Sequence, residues 1–214
     1  VAFLADLAGS GPALELGIGT GRLALPLRDR GVEIQGVDSS EPMVAKLREK
    51  PGGADIPVAM GDFADVPVEG TYSLIFVAFN TLFALLTQND QVRCFQNVAA
   101  HLRDDGAFVI QAFVPDLSRF DRGQRIQTDA VGTDSLVIGA LEHDPVHQRT
   151  RALHVVVTET GTKLYPVQLR YAHPSELDLM AKLAGLKLRH RWADWSRAPF
   201  TPSSDSHVSV YARP

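Results

Sequence analysis

A chain of 214 residues with 45% hydrophobic content is long enough to bury one substantial core and too short to need two full domains. A net charge of −4 and a pI near 6.0 give no field that would collect nucleic acid or an acidic membrane, and no lysine-arginine run supplies a local one. A single cysteine, Cys94, excludes an internal disulfide and, spaced with Phe95 and Val98 on one helical face, reads as a core thiol.

The chain opens on an amphipathic helix, Ala2 to Leu7, that stops at Gly9-Ser10-Gly11-Pro12. It begins at Val1 rather than a methionine, so an N-terminal segment is expected to precede it. No leader pattern is present, which with the lone cysteine predicts a cytoplasmic setting. Leu14-Glu15-Leu16 then reads as a buried strand running into the glycine turn Gly17-Ile18-Gly19-Thr20-Gly21 and a helix from about Arg22 to Arg30. Glycines there let the backbone take positive φ and approach a ligand, and the helix start aims free N–H groups at the same place.

Val32 to Val37 is a second strand, ending at Asp38-Ser39-Ser40, and Glu41 to Lys50 is the next helix, closed by Pro51-Gly52-Gly53. Ile56 to Met60 and Tyr72 to Phe79 follow as strands, the second apolar enough to be buried on both faces of a parallel sheet. A helix over Gln91 to Leu102 and a fifth strand over Ala107 to Val114 complete the alternation. The longest apolar run, Leu74 to Leu86, is interrupted by Asn80 and Thr81 and is too short for a bilayer.

From about Asp116 the rhythm changes to three β-rich runs, Ser135 to Glu142, Arg151 to Thr158 and Lys163 to Tyr171, with no helix between them. They predict an antiparallel meander inserted after the fifth strand. A final helix opens at His173-Pro174-Ser175-Glu176 and ends at Gly185, and Lys187 to Trp195 and Val208 to Ala212 make a closing hairpin. The expected fold is α/β: a doubly wound, mostly parallel seven-stranded sheet, Rossmann-like, with the antiparallel insertion. Residues 1–115 form its cofactor half, 116–172 a roof, and 173–214 the last helix and hairpin.

In such a sheet the ligand lies across the carboxyl ends of the strands. Those ends carry Glu15 with the glycines, Asp38, Asp62-Phe63, Phe79-Asn80 and Phe113. Asp38 suits the vicinal hydroxyls of a ribose, and Asp62 with Phe63 suits the edge and face of an adenine, Met43 closing the other face. Taken singly, each acid reads first as a helix cap or a solvated turn residue; together they point to the ligand. A dinucleotide fingerprint requires a small residue where Arg22 stands, and Glu15 would repel a pyrophosphate, so a nicotinamide cofactor is disfavoured.

The set ALELGIGTGR, GVDSS, GDFADV and YSLIFVAFNT, with the later HLRDDGAFVIQAF, resembles the sequential motifs of class I S-adenosylmethionine-dependent methyltransferases. The resemblance covers roughly residues 2 to 114 and resumes in the last helix and hairpin. It implies S-adenosylmethionine as cofactor and S-adenosylhomocysteine as product. The methionine part would lie over Gly17, Gly19, Thr20 and Gly21, the ribose on Asp38 with Ser39 beside it, and the adenine beside Met43, Asp62 and Phe63. Phe79 and Asn80 would face the amino-acid end and the methyl, with Glu15 near the cationic groups.

The inserted meander resembles the subgroup that methylates small metabolites, including aminosugar N-methyltransferases, in which such a sheet roofs the substrate pocket. The expected partner is therefore a small molecule, with no nucleic acid, membrane or metal, in a monomer or homodimer. The alternative is a non-catalytic cofactor-binding or scaffolding protein of the same fold. Methyl transfer needs alignment more than a catalytic group, although an oxygen acceptor gains from a general base. Tyr171 shares a strand face with Tyr165, Val167 and Leu169 and is a candidate to line a small, apolar pocket, or else a core tyrosine. His143 and His154 are candidate bases on neighbouring strands whose faces one sequence does not fix.

Overall fold

A computed structural model describes the chain from residue 1 to residue 214. In chain order its elements are α1 (Ala2–Ala8), β1 (Ala13–Leu16), α2 (Ala24–Arg28), β2 (Ile34–Asp38), α3 (Glu41–Arg48), β3 (Val58–Met60), β4 (Tyr72–Val77) and α4 (Gln88–His101). There follow β5 (Leu102–Phe113), β6 (Gln124–Val131), β7 (Ser135–Asp144), β8 (Arg149–Thr158), β9 (Gly161–Arg170), α5 (Pro174–Leu183), β10 (Lys187–Trp192) and β11 (Ser206–Ala212). Seven strands make one sheet in the order β10-β11-β5-β4-β1-β2-β3, in which β11 alone runs against the others. The other four, β6-β7-β8-β9, form a separate antiparallel sheet.

Strand alternation sorts the apolar residues of the large sheet onto two faces. Leu14, Leu16, Val77, Phe108 and Ile110 pack with Phe95 and Val98 of α4 and Met180 of α5. Ala13, Leu74, Phe76 and Val109 pack on the other side with Leu4 of α1 and Leu27 of α2. Each fully buried leucine or phenylalanine contributes about 1.5–3 kcal/mol, which fixes strand register and hence the mouth formed by the strand ends. No helix is long and apolar enough to cross a membrane.

The small sheet is tied to the large one by a buried polar network. Arg170, at the end of β9, donates to Gln91 of α4 (2.6 Å), to Gln148 (2.9 Å) and to Glu176 of α5 (2.7 Å). Gln88 and Gln148 also donate to Glu176, and the Gln91 amide reaches the carbonyls of Leu85 and Arg170. Burial works against the Glu176 charge, but these donors outweigh it and hold its carboxyl below the usual range.

Several expected boundaries are corrected. The meander has four strands rather than three, because Gln124–Val131 pairs along β7 although its sequence is mostly polar and none of its residues is buried. The helix after the glycine turn covers only Ala24–Arg28, since Gly21 at φ 75° keeps the preceding residues in turns and Gly31 at φ 84° lies just beyond the end. Thr87 caps α4 by accepting from the Asp90 N–H, so that helix starts earlier than Gln91. Asp104-Asp105-Gly106 does not separate α4 from β5; it lies within the strand, at an irregularity in its pairing with β4.

Candidate active site at the carboxyl ends of the strands

β1 delivers Glu15 and the glycine turn to the centre of the large sheet, between β2 and β4. Gly17, Gly19 and Gly21 have φ of 74°, 55° and 75°, a left-handed region that side chains with a Cβ resist. A Cβ on Gly17 would stand 2.5 Å from Thr81 Cγ2, and one on Gly19 would stand 3.3 Å from Met43 Cε. The turn is therefore a cradle walled by Thr81 on one side and Met43 on the other. The Lys50 ammonium donates to the Thr20 carbonyl at 2.7 Å and steadies its outer edge.

Asp38 ends β2 and ties two loops together. One carboxylate oxygen accepts from the Gly19 N–H at 2.7 Å and the other from the Ser40 N–H at 2.8 Å. An ionised carboxylate has about four lone-pair sites, so each oxygen keeps capacity for a hydroxyl donor. Ser39 is exposed beside it, and Met43, at the start of α3, is 41% exposed over the turn. Beyond β3, Asp62 accepts from the Ala64 N–H at 2.9 Å with its side chain half exposed, and Phe63 is half-buried. Arg93 of α4 reaches Asp62, Asp65 and Asp90, at 3.7, 2.8 and 2.7 Å.

The β4 corner is strained. Phe79 and Asn80 are consecutive residues with φ of 56° and 65°, a conformation that costs of order 1–3 kcal/mol per residue. Gln111 of β5 compensates: its side-chain oxygen accepts from the Phe79 N–H (2.9 Å) and its carbonyl from the Asn80 N–H (3.1 Å). Asn80 Oδ1 accepts in turn from the Phe113 N–H at 2.7 Å. The corner leaves Phe79 68% exposed, with the Arg22 guanidinium 5.2 Å from its ring centroid. Gln111 and Arg22 were not expected at the site; the one sequence signal for Gln111 is a polar residue inside an apolar strand.

Glu15 is the electrostatic anomaly. It is buried, its Oε2 has no partner, and burial pushes its carboxyl up to about 8, against the Arg22 charge and the Ala24 N–H and with the Asp38 charge. An unsatisfied carboxyl beneath a glycine cradle suits a ligand carrying positive charge and disfavours one carrying phosphates.

Between Phe113, at the end of β5, and the small sheet lies a cavity of about 570 Å³, closed on its third side by Pro202 to Asp205. Strand pairing puts Leu141, His143, Thr150, Ala152, His154, Tyr165, Val167 and Leu169 on one face of that sheet. His143 and His154 thus share the face that continues to Tyr171. Tyr171 is buried and lines the cavity, and its hydroxyl lies 2.8 Å from His143 Nε2. Phe120 lies against the other side of His143 at 5.0 Å between centroids. His154 also lines the cavity, whereas Tyr165 is half exposed. The expectation of an apolar pocket is corrected, since Asp116, Arg119, Arg125 and Asp205 share the lining with the apolar groups.

Comparison with known proteins places this architecture. Residues 13–106 match a family model described as a methyltransferase domain. The solved structure of the CcbJ methyltransferase from Streptomyces caelestis is 45% identical and superposes with a TM-score of 0.94 over 99% of this chain and 87% of that one. The cypemycin N-terminal methyltransferase of a Streptomyces species is 27% identical over 94% of this chain and 82% of its own length. At 19% identity and a TM-score of 0.76, over 100% of this chain and 87% of that one, the fold is also that of CalS10 from Micromonospora echinaspora, an amino pentose methyltransferase solved with S-adenosylmethionine bound. With likeness of this extent added to the shape and charge of the mouth, the chain belongs to the class I S-adenosylmethionine-dependent methyltransferases and takes S-adenosylmethionine as its cofactor.

Proposed function

We propose that the protein methylates a nitrogen or oxygen atom of a small molecule held between the two sheets, an amine nitrogen being the favoured acceptor. The observation that carries this reading is the cavity of about 570 Å³ that opens beside Phe113, itself bonded to Asn80 at the cofactor mouth. Its size and mixed lining suit a polar metabolite rather than a polymer. The relatives support an amine, since one is named as an N-terminal methyltransferase and others as an amino pentose methyltransferase and a sugar N-methyltransferase.

The cofactor supplies a methyl group on a positively charged sulfur. We assign its recognition to Glu15, Gly17, Gly19, Thr20, Gly21, Asp38, Ser39, Met43, Asp62, Phe63, Phe79 and Asn80. Asp38 would accept the ribose hydroxyls with its free lone pairs, while Met43 and Phe63 would enclose the base and Asp62 accept from its amino edge. Glu15 would give up its proton to face the cationic end, which satisfies its orphaned oxygen. Residues 116–172 hold the acceptor under the roof, residues 1–115 hold the cofactor, and residues 173–214 complete the sheet behind both.

Calorimetric titration with S-adenosylhomocysteine, beside NADH and an Asp38→Ala variant, tests the cofactor site. Thioether binding that the variant loses and NADH does not share is the expected result. Methyl transfer from labelled cofactor to a panel of primary amines, phenols and alcohols then tests the acceptor, and labelling of none of them would sink the reading.

A further inference from the structure

Three irregularities of the small sheet converge on one point. β6 breaks register with β7 between Thr128 and Ala130, so Asp129 lies at the bulge. β7 carries a glycine, Gly139, in its interior, where glycine weakens a strand and marks a close approach. β8 places His154 directly across from Gly139. The absence of a side chain at Gly139 lets Asp129 reach over β7. Asp129 Oδ2 lies 2.9 Å from His154 Nδ1 and would lie 2.9 Å from a Cβ at position 139. Gln127 donates to the other Asp129 oxygen and fixes its rotamer.

His154 belongs to the cavity wall, with Asp129 behind it. His154 lines the space that also holds Phe113 and Tyr171. With Nδ1 bonded to a carboxylate, the proton of neutral imidazole sits on Nδ1 and the lone pair sits on Nε2. Tyr165, cross-strand from His154 on β9, and Arg125 on β6, whose charge acts on Asp129, neighbour the pair; Asp116, Arg119 and Asp205 share the cavity lining with His154, and β7 contributes no side chain at Gly139. His143, four residues along the same face, is already engaged by Tyr171.

We propose that His154 Nε2 is the proton acceptor for the substrate amine and that Asp129 is the positioning residue that presents it, an inference that rests on the amine-methylation reading above. The substrate ammonium passes one proton to His154 Nε2 and regains a lone pair. That pair forms the new N–C bond while the S–C bond breaks with its electrons left on sulfur, giving the methylammonium product and the thioether. The imidazolium then returns its proton to water. Asp129 stays ionised throughout, its carboxyl held below the usual range first by the Gln127 amide and then by His154, partly offset by desolvation.

The test needs no knowledge of the natural substrate for its first arm. Nitrogen-15 NMR of the imidazole rings in the full chain loaded with S-adenosylhomocysteine should find His154 with its proton on Nδ1. Asp129→Ala, which removes the acceptor, should release that proton to Nε2, and Gly139→Ala, which keeps both side chains but crowds the path of the carboxylate over β7, should shift the tautomer in the same direction. An Nε2–H tautomer in the wild type, or the same tautomer in the wild type and both variants, would overturn the proposal. In the second arm, on any amine that the wild type methylates, His154→Gln should lower kcat at least tenfold with little change in KM and flatten the acid limb of the rate profile. Asp129→Ala should flatten that limb as well, in step with the loss of the Nδ1–H tautomer. An unmoved limb rejects the role. If the wild type methylates no amine, it is the functional reading that fails, and the NMR arm still decides whether the pair is built as described.

Discussion

β1 is buried at all four of its residues on both faces, whereas β9, ten residues long in the other sheet, is exposed over its first eight. The large sheet is held by apolar packing, and its buried polar groups are few: Glu15 of β1 and His207 and Ser209 of β11. The small sheet is held by its ladder and by one polar anchor around Arg170. The difference supports the proposed division of labour. A rigid core can hold a strained turn and a desolvated carboxyl for the cofactor, and a thin, two-faced sheet can present polar side chains to a substrate without a core of its own.

The difference should be sharpest in pH. Glu15 ionises near 8 in the folded chain against 4.5 for the free side chain, so the folded state holds the extra proton between those values. Its stabilisation is complete below about pH 4.5 and is lost as pH rises through about 8, on the order of 5 kcal/mol at about 1.4 kcal/mol per unit. Glu176, held below its usual range by the Arg170 anchor, has the opposite sign and loses its contribution as pH falls. Urea unfolding from pH 5 to 9 should show the alkaline loss, and Glu15→Gln should remove it. A variant as pH-sensitive as the wild type would show that Glu15 is not the source.

Arg170→Leu should break the comparison from the roof side. Removing the guanidinium strips the Gln91 and Gln148 side-chain oxygens of their donor and leaves the Glu176 carboxylate without its counter-charge, at a cost of about 3–5 kcal/mol. Hydrogen exchange should then lose protection in β6 to β9 first while β1 and β4 keep theirs. Uniform loss over both sheets would mean that the two are one cooperative unit.

Asp38→Ala should act on the cofactor half alone. The aspartate orders the Gly19 and Ser40 backbone and offers its remaining lone pairs to the ligand. A hundredfold or greater loss in S-adenosylhomocysteine affinity is expected, about 2.7 kcal/mol, with roof exchange unchanged. Affinity within threefold of wild type would remove Asp38 from the site.

The two regions also differed in how far the sequence discloses them. The glycines at 17, 19 and 21 and the acids at 15, 38 and 62 were legible because backbone sterics and strand-end chemistry are local, and the order of motifs gave the large sheet. The first roof strand was not legible, since Gln124–Val131 has no face buried enough to impose a clear apolar period. Asp129 and His154 lie 25 residues apart and meet only through the pairing of three strands across Gly139. Gln111 was hidden for the same reason: its function is to satisfy a corner formed 32 residues earlier in the chain.

The smallest effect is expected at Tyr171, where the two regions touch. Its ring packs into the core of the large sheet while its hydroxyl lies against His143 of the small one. Burial, with the Glu176 charge, raises its pKa above the ordinary value, so the phenol stays protonated at neutral pH and shares one hydrogen bond with His143 Nε2, its direction set by the imidazole tautomer. Tyr171→Phe keeps the packing and removes that one bond, which should cost about 1 kcal/mol of stability. The ring of His143 would then be free to rotate against Phe120, seen as a broadened or shifted imidazole resonance, with S-adenosylhomocysteine affinity unchanged. A loss of affinity comparable to that of Asp38→Ala would mean that the roof contact shapes the cofactor mouth as well, and that the two sheets are less independent than their burial implies.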